Sequence, residues 1–481
     1  MQLRLVVVTL GALAAILGLF MMSAVAWAWY YGDGTAELLS AVALGFLVGG
    51  SLIFSLLRIP HASYNVKDGF AVVTFGWILA GVIGALPFFL TGGIPSFVDA
   101  LFESVSGFTT TGATVISDIE RVPRGVLFWR SLTHWLGGMG IVVLSVAILP
   151  LLGVGGMAMF KAEVPSPVMD KLKPRVAETA KTLWLVYIGM SALEVLLLCI
   201  GGMGLFDALC HTFGTVATGG FSTKNASLAH YNSVYLELVV TAFMFLAGVN
   251  FTLHYRALCG APGAYWNSLE FRTYVVVFLI CSLFIALRLL DGSGVGFGQA
   301  LRQATFQVTS IMTTTGFVTA DWEKWPWDCQ WVLLSLMFMG GCGGSTGGGM
   351  KCMRLIVTAK HVFREFRLLV HPRAIIPLKL DGVAIASPVV NSIVAFIALF
   401  VGVWACSTLL LIMLGLDVIT AIGATTATLS NVGPGLNAVG AFDNYSELPE
   451  LAKLLLTFNM LVGRLELYTV FLLLTPEFWR R

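Results

Sequence analysis

Long runs of apolar residues alternate with short polar loops along almost the whole chain. A helix that spans a bilayer needs roughly 20 apolar residues, and runs near that length recur ten times. The eighth run is shorter than the others and breaks into glycines. We therefore predict an all-α polytopic membrane protein. The ten predicted spans are residues 5–30, 37–57, 70–90, 126–152, 182–204, 234–253, 274–290, 331–341, 387–414 and 451–474.

The composition agrees with this prediction and excludes a water-soluble protein. Of the 481 residues, 57% are hydrophobic and 11% are charged, whereas a soluble domain carries about 25% charged residues. The formal net charge of only +2 argues against a nucleic-acid partner. The eight cysteines form no CxxC pair, and neither a Walker loop nor a metalloprotease or dinucleotide motif occurs. The sequence therefore predicts neither an enzyme nor a resident cofactor.

Two loops carry clusters of basic residues, and the positive-inside rule places both in the cytoplasm. The N-terminus, which carries Arg4, is then cytoplasmic, and the acidic loops at 118–120, 321–323 and 443–450 lie outside. Topology alone can account for the basic loops, and the longer one can also serve as a docking surface. The clusters are Lys161, Lys171, Lys173, Arg175 and Lys181, and Lys351, Arg354, Lys360, Arg364, Arg367, Arg373 and Lys379.

Four segments of the chain end in a similar glycine turn, and we call these turns the anchor turns. They are residues 109–112 (TTTG), 217–220 (ATGG), 313–316 (TTTG) and 430–433 (SNVG). Twelve residues before each final glycine lies an alanine, and the residue before that alanine is polar. We expect these polar residues to start short helices. The upstream pairs are Asp99 and Ala100, Asp207 and Ala208, Gln303 and Ala304, and Thr420 and Ala421.

The short helices predicted before the anchor turns cannot cross a bilayer, so the sequence predicts four re-entrant loops around one axis. Irregular backbone at that depth must be buried in protein or line a watery cavity. Glycine permits unusual backbone angles, and rings of carbonyls can replace a cation's hydration shell. One such turn alone is an ordinary packing motif, but four indicate an ion filter. Its predicted residues are Thr110, Thr111, Gly112, Thr218, Gly219, Gly220, Thr314, Thr315, Gly316, Asn431, Val432 and Gly433.

A run of glycines, which we call the glycine loop, interrupts the eighth apolar run at residues 340–350. Seven glycines in eleven residues disfavour a helix, since each costs about 1 kcal/mol relative to alanine. A flexible linker is the alternative, but the preceding apolar run is too short to have crossed the membrane. We expect the loop to lie within the membrane beside the cavity. It comprises Gly340, Gly341, Cys342, Gly343, Gly344, Ser345, Thr346, Gly347, Gly348, Gly349 and Met350.

A single arginine, Arg464, lies near the middle of the last predicted span. A buried arginine costs from about 2.5 to above 10 kcal/mol, and Glu466 two residues away does not share its helix face. We expect Arg464 to face the aqueous pore, where its charge raises a barrier to cations. Glu103 and Gln307 each precede an anchor glycine by nine residues, and we expect both to brace the short helices.

Several specific motifs resemble those of the Trk/Ktr/HKT superfamily of potassium uptake proteins, and within it the bacterial TrkH subunits. The resemblance includes all four anchor turns and covers nearly the whole chain. The other motifs are residues 135–140 (WLGGMG), 174–180 (PRVAETA), 429–435 (LSNVGPG) and 463–467 (GRLEL).

The resemblance implies two N-terminal transmembrane helices and four pore repeats around one pore. The implied divisions are residues 1–66 for the two helices and 67–160, 161–256, 257–368 and 369–481 for the repeats. Glycine at position 112, where sodium transporters of the superfamily have serine, implies potassium selectivity. The asparagine and valine before Gly433 depart from the threonine pattern of the other turns and leave the fourfold symmetry of the ion sites in doubt.

The resemblance also implies a gate made of the glycine loop and Arg464. It further implies a homodimer in the bacterial inner membrane that docks on a cytosolic ring of nucleotide-binding, TrkA-like subunits. The segment 351–379 is the first docking surface to consider. Sodium conduction, or symport of potassium with protons or sodium, remains the alternative within the superfamily. An intramembrane enzyme is disfavoured because no converging catalytic side chains occur.

Overall fold

A computed structural model describes residues 2–58, 66–138, 140, 176–293 and 295–480, and its secondary structure is almost entirely helical. Each predicted apolar run that lies in these ranges is helical. The last residues of the fourth predicted span, 141–152, lie outside the described residues. So do Lys161, Lys171, Lys173 and Arg175 of the first basic cluster and the start of the 174–180 motif.

The helices are numbered here in chain order. They are α1 (Leu3–Tyr31), α2 (Ala36–Leu57), α3 (Val66–Leu90), α4 (Phe97–Phe108), α5 (Arg124–Gly138), α6 (Val176–Ile200), α7 (Leu205–Val216), α8 (Val234–Ala247), α9 (Phe251–Leu258), α10 (Ala264–Asn267), α11 (Leu269–Ser293), α12 (Phe297–Met312), α13 (Trp327–Met339), α14 (Cys352–Val370), α15 (Ser387–Met413), α16 (Val418–Leu429), α17 (Glu450–Arg464), α18 (Tyr468–Leu474) and α19 (Pro476–Trp479). A short antiparallel ribbon pairs β1 (Lys379–Leu380) with β2 (Val383–Ala384). Short 3-10 turns occupy Ile119–Arg121, Ser227–Tyr231, Trp322–Lys324 and Asn437–Val439.

The described part of the chain contains six helices that are long and apolar enough to cross a membrane. The prediction that the sixth and tenth runs are single straight spans was wrong. The sixth run bends by 101° between α8 and α9, and the tenth bends by 114° between α17 and α18. The prediction of a broken eighth run is confirmed, because α13 ends at Met339 and the glycine loop follows.

The four short helices predicted before the anchor turns are present as α4, α7, α12 and α16. Three have 12 residues and α12 has 16, which at 1.5 Å per residue gives about 18–24 Å, less than the roughly 30 Å of a bilayer core. We call them the half-helices. The alanines twelve residues before the anchor glycines lie in these half-helices, and all are completely buried: Ala100, Ala208, Ala304 and Ala421.

The predicted starting residues of the half-helices lie inside the helices rather than at their ends. Asp99 is the third residue of α4, and its backbone N–H donates to the Ser96 side chain, which caps the helix. Likewise Asp417 caps α16 by accepting from Thr420 N. Side-chain oxygens of Ser and Asp satisfy the free N–H groups at a helix start. The helix starts predicted at Asp99, Asp207, Gln303 and Thr420 therefore lie too late in the chain, because the helices begin earlier.

The loops that follow the anchor turns interlock in chain order and close into a cycle. Each loop shares a hydrogen bond with the next, and the fourth bonds back to the first. These links connect Ile119 N to Asn225 Oδ1 at 2.7 Å, Ala229 N to Val318 O at 3.3 Å, Asn437 N to Glu323 Oε1 at 2.6 Å, and Tyr445 N to Thr114 O at 2.8 Å. Together they place the four anchor turns around a common centre.

The first two helices form a closely packed hairpin beside this cycle, and α1 also packs on α3 and α5. A Cβ added to Gly18 of α1 would lie 2.5 Å from the Ala43 carbonyl oxygen and 2.6 Å from Leu47 N of α2. The two backbones therefore meet without an intervening side chain, as is common between membrane helices.

A pair of glycine-to-alanine substitutions tests this close approach. Gly18→Ala should lower the free energy of unfolding by about 1–3 kcal/mol through overpacking. Gly49→Ala in α2 is the matched control, since a Cβ there meets nothing within 4 Å and alanine favours the helix by about 1 kcal/mol. Thermal unfolding of the purified protein in detergent measures both, and equal shifts in the two variants would contradict the packing argument.

Candidate ion filter and glycine loop

The four half-helices stop at equivalent positions. Each ends four residues before the final glycine of its anchor turn: at Phe108, Val216, Met312 and Leu429. The C-terminal end of a helix carries partial negative charge from its free carbonyl groups. Each anchor turn therefore begins at a helix end that favours a nearby cation.

The backbone conformation of the four anchor turns repeats residue by residue. Two positions in each turn have positive φ: the final glycine and the residue two before it. The non-glycine values are 53° at Thr110, 55° at Thr218, 62° at Thr314 and 56° at Asn431, and the glycine values are 81° at Gly112, 79° at Gly220, 83° at Gly316 and 99° at Gly433. The backbone of the fourth turn thus matches the others despite its different side chains.

Equivalent hydrogen bonds hold each turn. The residue before the final glycine donates its N–H to the carbonyl five residues earlier, in the last turn of the half-helix. These bonds run from Thr111 to Ser106 at 2.9 Å, Gly219 to Gly214 at 2.7 Å, Thr315 to Ser310 at 2.8 Å and Val432 to Ala427 at 2.8 Å. The N–H groups are therefore directed back toward the helices and are unavailable to a ligand.

The final glycines lie against the carbonyl oxygens of the neighbouring turns and close a ring. A Cβ on any of them would come closer to such an oxygen than the 3.0 Å that real Cβ atoms respect. The neighbours follow chain order and return to the start: Gly112 meets the Gly219 carbonyl, Gly220 that of Thr315, Gly316 that of Val432, and Gly433 that of Thr111. The structure thus brings all twelve predicted filter residues together.

Side chains behind the ring differ between repeats. Threonine hydroxyls pair between Thr109 and Thr111 at 2.8 Å and between Thr313 and Thr315 at 2.7 Å. In the fourth turn Asn431 Nδ2 instead donates to Thr111 Oγ1 at 2.9 Å, so it bridges to the first turn. Val432 stands where Thr111 and Thr315 supply a hydroxyl, so the fourth turn has no such hydroxyl pair, and Asn431 instead makes a contact between two turns.

The second turn has glycine where the others carry a side chain, and an imidazole fills that space. A Cβ on Gly219 would lie 2.5–2.8 Å from the His134 ring. That ring stacks on Phe221 at 4.0 Å and contacts the Gly107 carbonyl through Nδ1 at 2.7 Å. The His134 ring therefore occupies the space that a side chain at position 219 would need.

Glu103 braces the first half-helix against the chain that leaves the filter. Its carboxylate accepts from Val115 N at 2.9 Å and from Thr114 Oγ1 at 2.9 Å. It also pairs with Arg130 Nε at 2.6 Å, and both side chains are at most 1% exposed. Arg130 in turn donates to the Ser222 carbonyl at 3.0 Å and so ties the first repeat to the second.

The same position in other repeats performs a similar task. Gln307 donates to the Ala320 carbonyl, although at 3.4 Å this contact is long. His211, nine residues before Gly220, contacts Ser222 Oγ through Nε2 at 2.9 Å. The spacing that identified Glu103 and Gln307 also applies to His211, so the sequence could have identified this histidine. Nothing in the sequence indicated Arg130 as the partner of Glu103.

The glycine loop lies directly against two of the anchor turns. Gly348 N donates to Thr314 Oγ1 at 2.6 Å, and a Cβ on Gly348 would lie 3.0 Å from Asn431 Cβ. A Cβ on Gly347 would lie 2.9 Å from the Thr313 carbonyl oxygen. The loop is therefore packed within the protein against the third and fourth anchor turns, which disfavours a flexible linker.

Thr346 connects the loop to the ends of two further helices. Its hydroxyl lies 3.0 Å from the Val216 carbonyl oxygen, at the end of α7, and 3.2 Å from that of Ala247, at the end of α8. At the start of the loop, Cys342 N donates to the Gly248 carbonyl at 2.8 Å. The bend between α8 and α9 is thus the place where the loop docks.

Arg464 is the last residue of α17, at the bend of the final span, and not in the middle of a straight helix. Its guanidinium donates to the Thr346 carbonyl at 2.7 Å. It also donates to the carbonyls of Gly137 and Gly138, at 2.9 Å and 3.0 Å, at the end of α5. The positive charge therefore fastens the loop to the first repeat and lies at a helix C-terminus, where it is favoured.

Side-chain ligands for a metal ion are not grouped in the described part of the chain. Among the residues that the structure describes, no group of three or more His, Cys, Asp or Glu side chains could hold a metal ion. Rings of backbone carbonyls suit a hydrated monovalent cation that must bind and leave again.

A protein-family model described as TrkH, a cation transport protein, matches residues 38–480 of this chain. The chain belongs to the TrkH family. It is therefore a helical membrane transporter of cations and not an enzyme.

Two potassium uptake proteins are similar to this family member over 90–100% of its length. The chain is 40% identical to the Trk system potassium uptake protein TrkH of Vibrio parahaemolyticus, with 100% of both chains covered. It is 35% identical to the Trk system potassium uptake protein TrkG of Escherichia coli, with 90% of each covered. The crystal structure of the potassium transporter TrkH from Vibrio parahaemolyticus superimposes with a TM-score of 0.90 at 38% identity, covering 100% of both chains.

Removing Arg130 tests the brace behind the filter. Arg130→Met leaves the Glu103 carboxylate buried without its cation, which should cost about 3–5 kcal/mol of unfolding free energy. The control is Arg121→Met, because Arg121 pairs with Asp118 at 2.8 Å but is 88% exposed and should cost at most about 1 kcal/mol. Thermal unfolding in detergent measures both, and the double variant Arg130→Met/Glu103→Gln should recover part of the loss. Equal costs for the two arginines would contradict the brace.

Proposed function

We propose that this chain conducts potassium ions into the cell through a filter of backbone carbonyls. The ring of final glycines, each against the carbonyl of the next turn, is the observation that carries the proposal. The proposed filter residues are Thr110, Thr111, Gly112, Thr218, Gly219, Gly220, Thr314, Thr315, Gly316, Asn431, Val432 and Gly433. The relatives named as potassium uptake proteins support the choice of ion.

Physical chemistry supports conduction through these turns. Four half-helix ends supply negative potential, and the carbonyls offer oxygen ligands in place of water. The membrane potential then drives entry, with about 2.3 kcal/mol per charge for each 100 mV. No step of this mechanism needs a bound cofactor or a titrating side chain.

The proposed gate consists of residues Gly340–Gly349 of the glycine loop and Arg464. The loop packs against the anchor turns of the third and fourth repeats, so an ion leaving the filter would meet it. Arg464 places a positive charge beside the loop. Both features raise the barrier to a cation until the loop moves.

Membership of the family supports a proposal for the repeats and the larger assembly. We propose two N-terminal helices at 1–66 and pore repeats at 67–160, 161–256, 257–368 and 369–481. The protein would be a homodimer of the bacterial inner membrane with a cytoplasmic N-terminus. A cytosolic nucleotide-binding, TrkA-like ring would regulate it and would dock on residues 351–379, which include the exposed C-terminal part of α14.

Gly112→Ser tests the filter. Serine at φ 81° adds strain, and its Cβ collides with the Gly219 carbonyl, so the oxygen ring must distort. We expect the ratio of potassium to sodium flux to fall about tenfold, which corresponds to about 1.4 kcal/mol. The measurement is potassium, rubidium and sodium flux in proteoliposomes that contain only this protein.

The control for this substitution is Gly204→Ser, where a Cβ meets nothing within 4 Å and where serine suits the first position before α7. It should leave the flux ratio unchanged. Equal sodium and potassium flux in the unmodified protein would overturn the selectivity proposal. Flux that requires a proton or sodium gradient would favour symport over conduction.

Arg464→Ala tests the gate. Loss of three hydrogen bonds to the loop and to α5, together with loss of the charge, should raise resting potassium flux about tenfold. Deleting two of the loop glycines should act in the same direction. The exposed Arg480→Ala is the control and should leave flux unchanged. A slower Arg464→Ala protein of normal abundance would contradict the barrier role.

A further inference from the structure

A buried carboxylate, Glu270, lies beside the glycine loop without belonging to either the filter or the proposed gate. It is the second residue of α11 and is 4% exposed. Its Oε1 accepts from Gly343 N at 2.7 Å and from Met353 N at 3.0 Å. Gly343 lies near the start of the loop and Met353 in the first turn of α14, so a single oxygen joins the two sides of the loop.

The two ends of the glycine loop run side by side and form a neck. Met350 N donates to the Phe338 carbonyl at 3.1 Å, and Cys352 N donates to the Gly341 carbonyl at 3.0 Å. Lys351 between them has φ 70°, a conformation that costs an L-residue roughly 1–2 kcal/mol. The neck therefore includes a strained residue and needs contacts from outside the loop to stay closed.

Glu270 supplies such a contact from a different helix. A carboxylate is favoured beside the N-terminus of α14, and hydrogen bonds to a charged acceptor are stronger than neutral ones. The two bonds from Met350 N and Cys352 N across the neck join backbone groups of the loop and its flanking residues. The carboxylate is thus well placed to fix the neck to the body of the protein through α11.

We propose that Glu270 is a positioning residue that holds the neck of the glycine loop closed and so keeps the loop against the anchor turns. The glutamate does not touch the conducted ion and acts through the backbone of Gly343 and Met353. This proposal rests on the proposed function of the loop as a gate. It predicts that weakening the Glu270 contacts loosens the whole loop.

The native Cys342 provides a reporter of loop position that does not depend on ion flux. It is 1% exposed and adjoins Gly343. The experiment measures how fast a charged methanethiosulfonate reagent modifies Cys342 in the purified full-length protein, with mass spectrometry to assign the site. Potassium flux in proteoliposomes is measured on the same samples, and size-exclusion chromatography verifies that each variant is folded.

Three variants separate this positioning role from a merely structural one. Glu270→Ala removes the acceptor, and Glu270→Gln keeps an oxygen that can accept both N–H groups. Asp291→Asn changes a 77% exposed carboxylate in the same helix and is the control.

In Glu270→Ala, the reagent should modify Cys342 about tenfold faster than in the protein without substitutions, and potassium flux should be faster. Both rates in Glu270→Gln should stay within a few-fold of those of the protein without substitutions, and Asp291→Asn should match that protein. Unchanged Cys342 modification in Glu270→Ala, or equal acceleration in Glu270→Gln, would overturn the proposal. Faster modification of Cys342 without faster potassium flux would support the positioning role of Glu270. It would contradict the proposal that the loop is the gate.

Discussion

The close approach of four glycines to four carbonyl oxygens is the constraint on which the rest of this protein depends. A Cβ on Gly433 would lie 2.6 Å from the Thr111 carbonyl oxygen, and the other three positions are tighter still. A ring this narrow tolerates little relative movement of its turns. The surrounding structure therefore has to hold four separate pieces of chain in register, although a polar backbone at membrane depth gains nothing from the surrounding lipid.

Buried polar contacts outside the ring provide that register. The Glu103–Arg130 pair ties the first repeat to the Ser222 carbonyl of the second. Lys453, which is 4% exposed, pairs with Asp99 at 2.7 Å and so ties the last repeat to the first. A buried pair adds little stability compared with apolar packing, but removing one partner is costly. These pairs thus act chiefly to specify which turn lies beside which.

The sequence predicted much of this arrangement because the responsible residues recur at fixed spacing. Gly112, Gly220, Gly316 and Gly433 identified the four turns, and the alanines twelve residues earlier identified the half-helices. Contacts between distant segments leave no such signal. Arg130 and Glu270 are single residues whose partners are set by packing, so neither could be assigned. The bends were missed because an apolar run looks the same whether it is straight or broken.

The glycine loop supplies hydrogen-bond partners for backbone groups near the two helix bends. A broken helix leaves carbonyl and N–H groups without intrahelical partners, and in a membrane these must be satisfied within the protein. The loop meets that need at the first bend. Gly344 O accepts from Phe251 N at 3.1 Å, and Thr346 reaches the ends of α7 and α8.

At the second bend Arg464 satisfies the carbonyl ends of α5 and the loop together. Moving the loop would remove the partners of the Phe251 N–H and of the Val216 and Ala247 carbonyls, at about 1–3 kcal/mol each, unless water replaced the loop. In the gate proposed above, opening and hydration of the cavity would therefore be one event. A loop built from glycine suits this coupling, because its bare backbone supplies hydrogen bonds that water can take over.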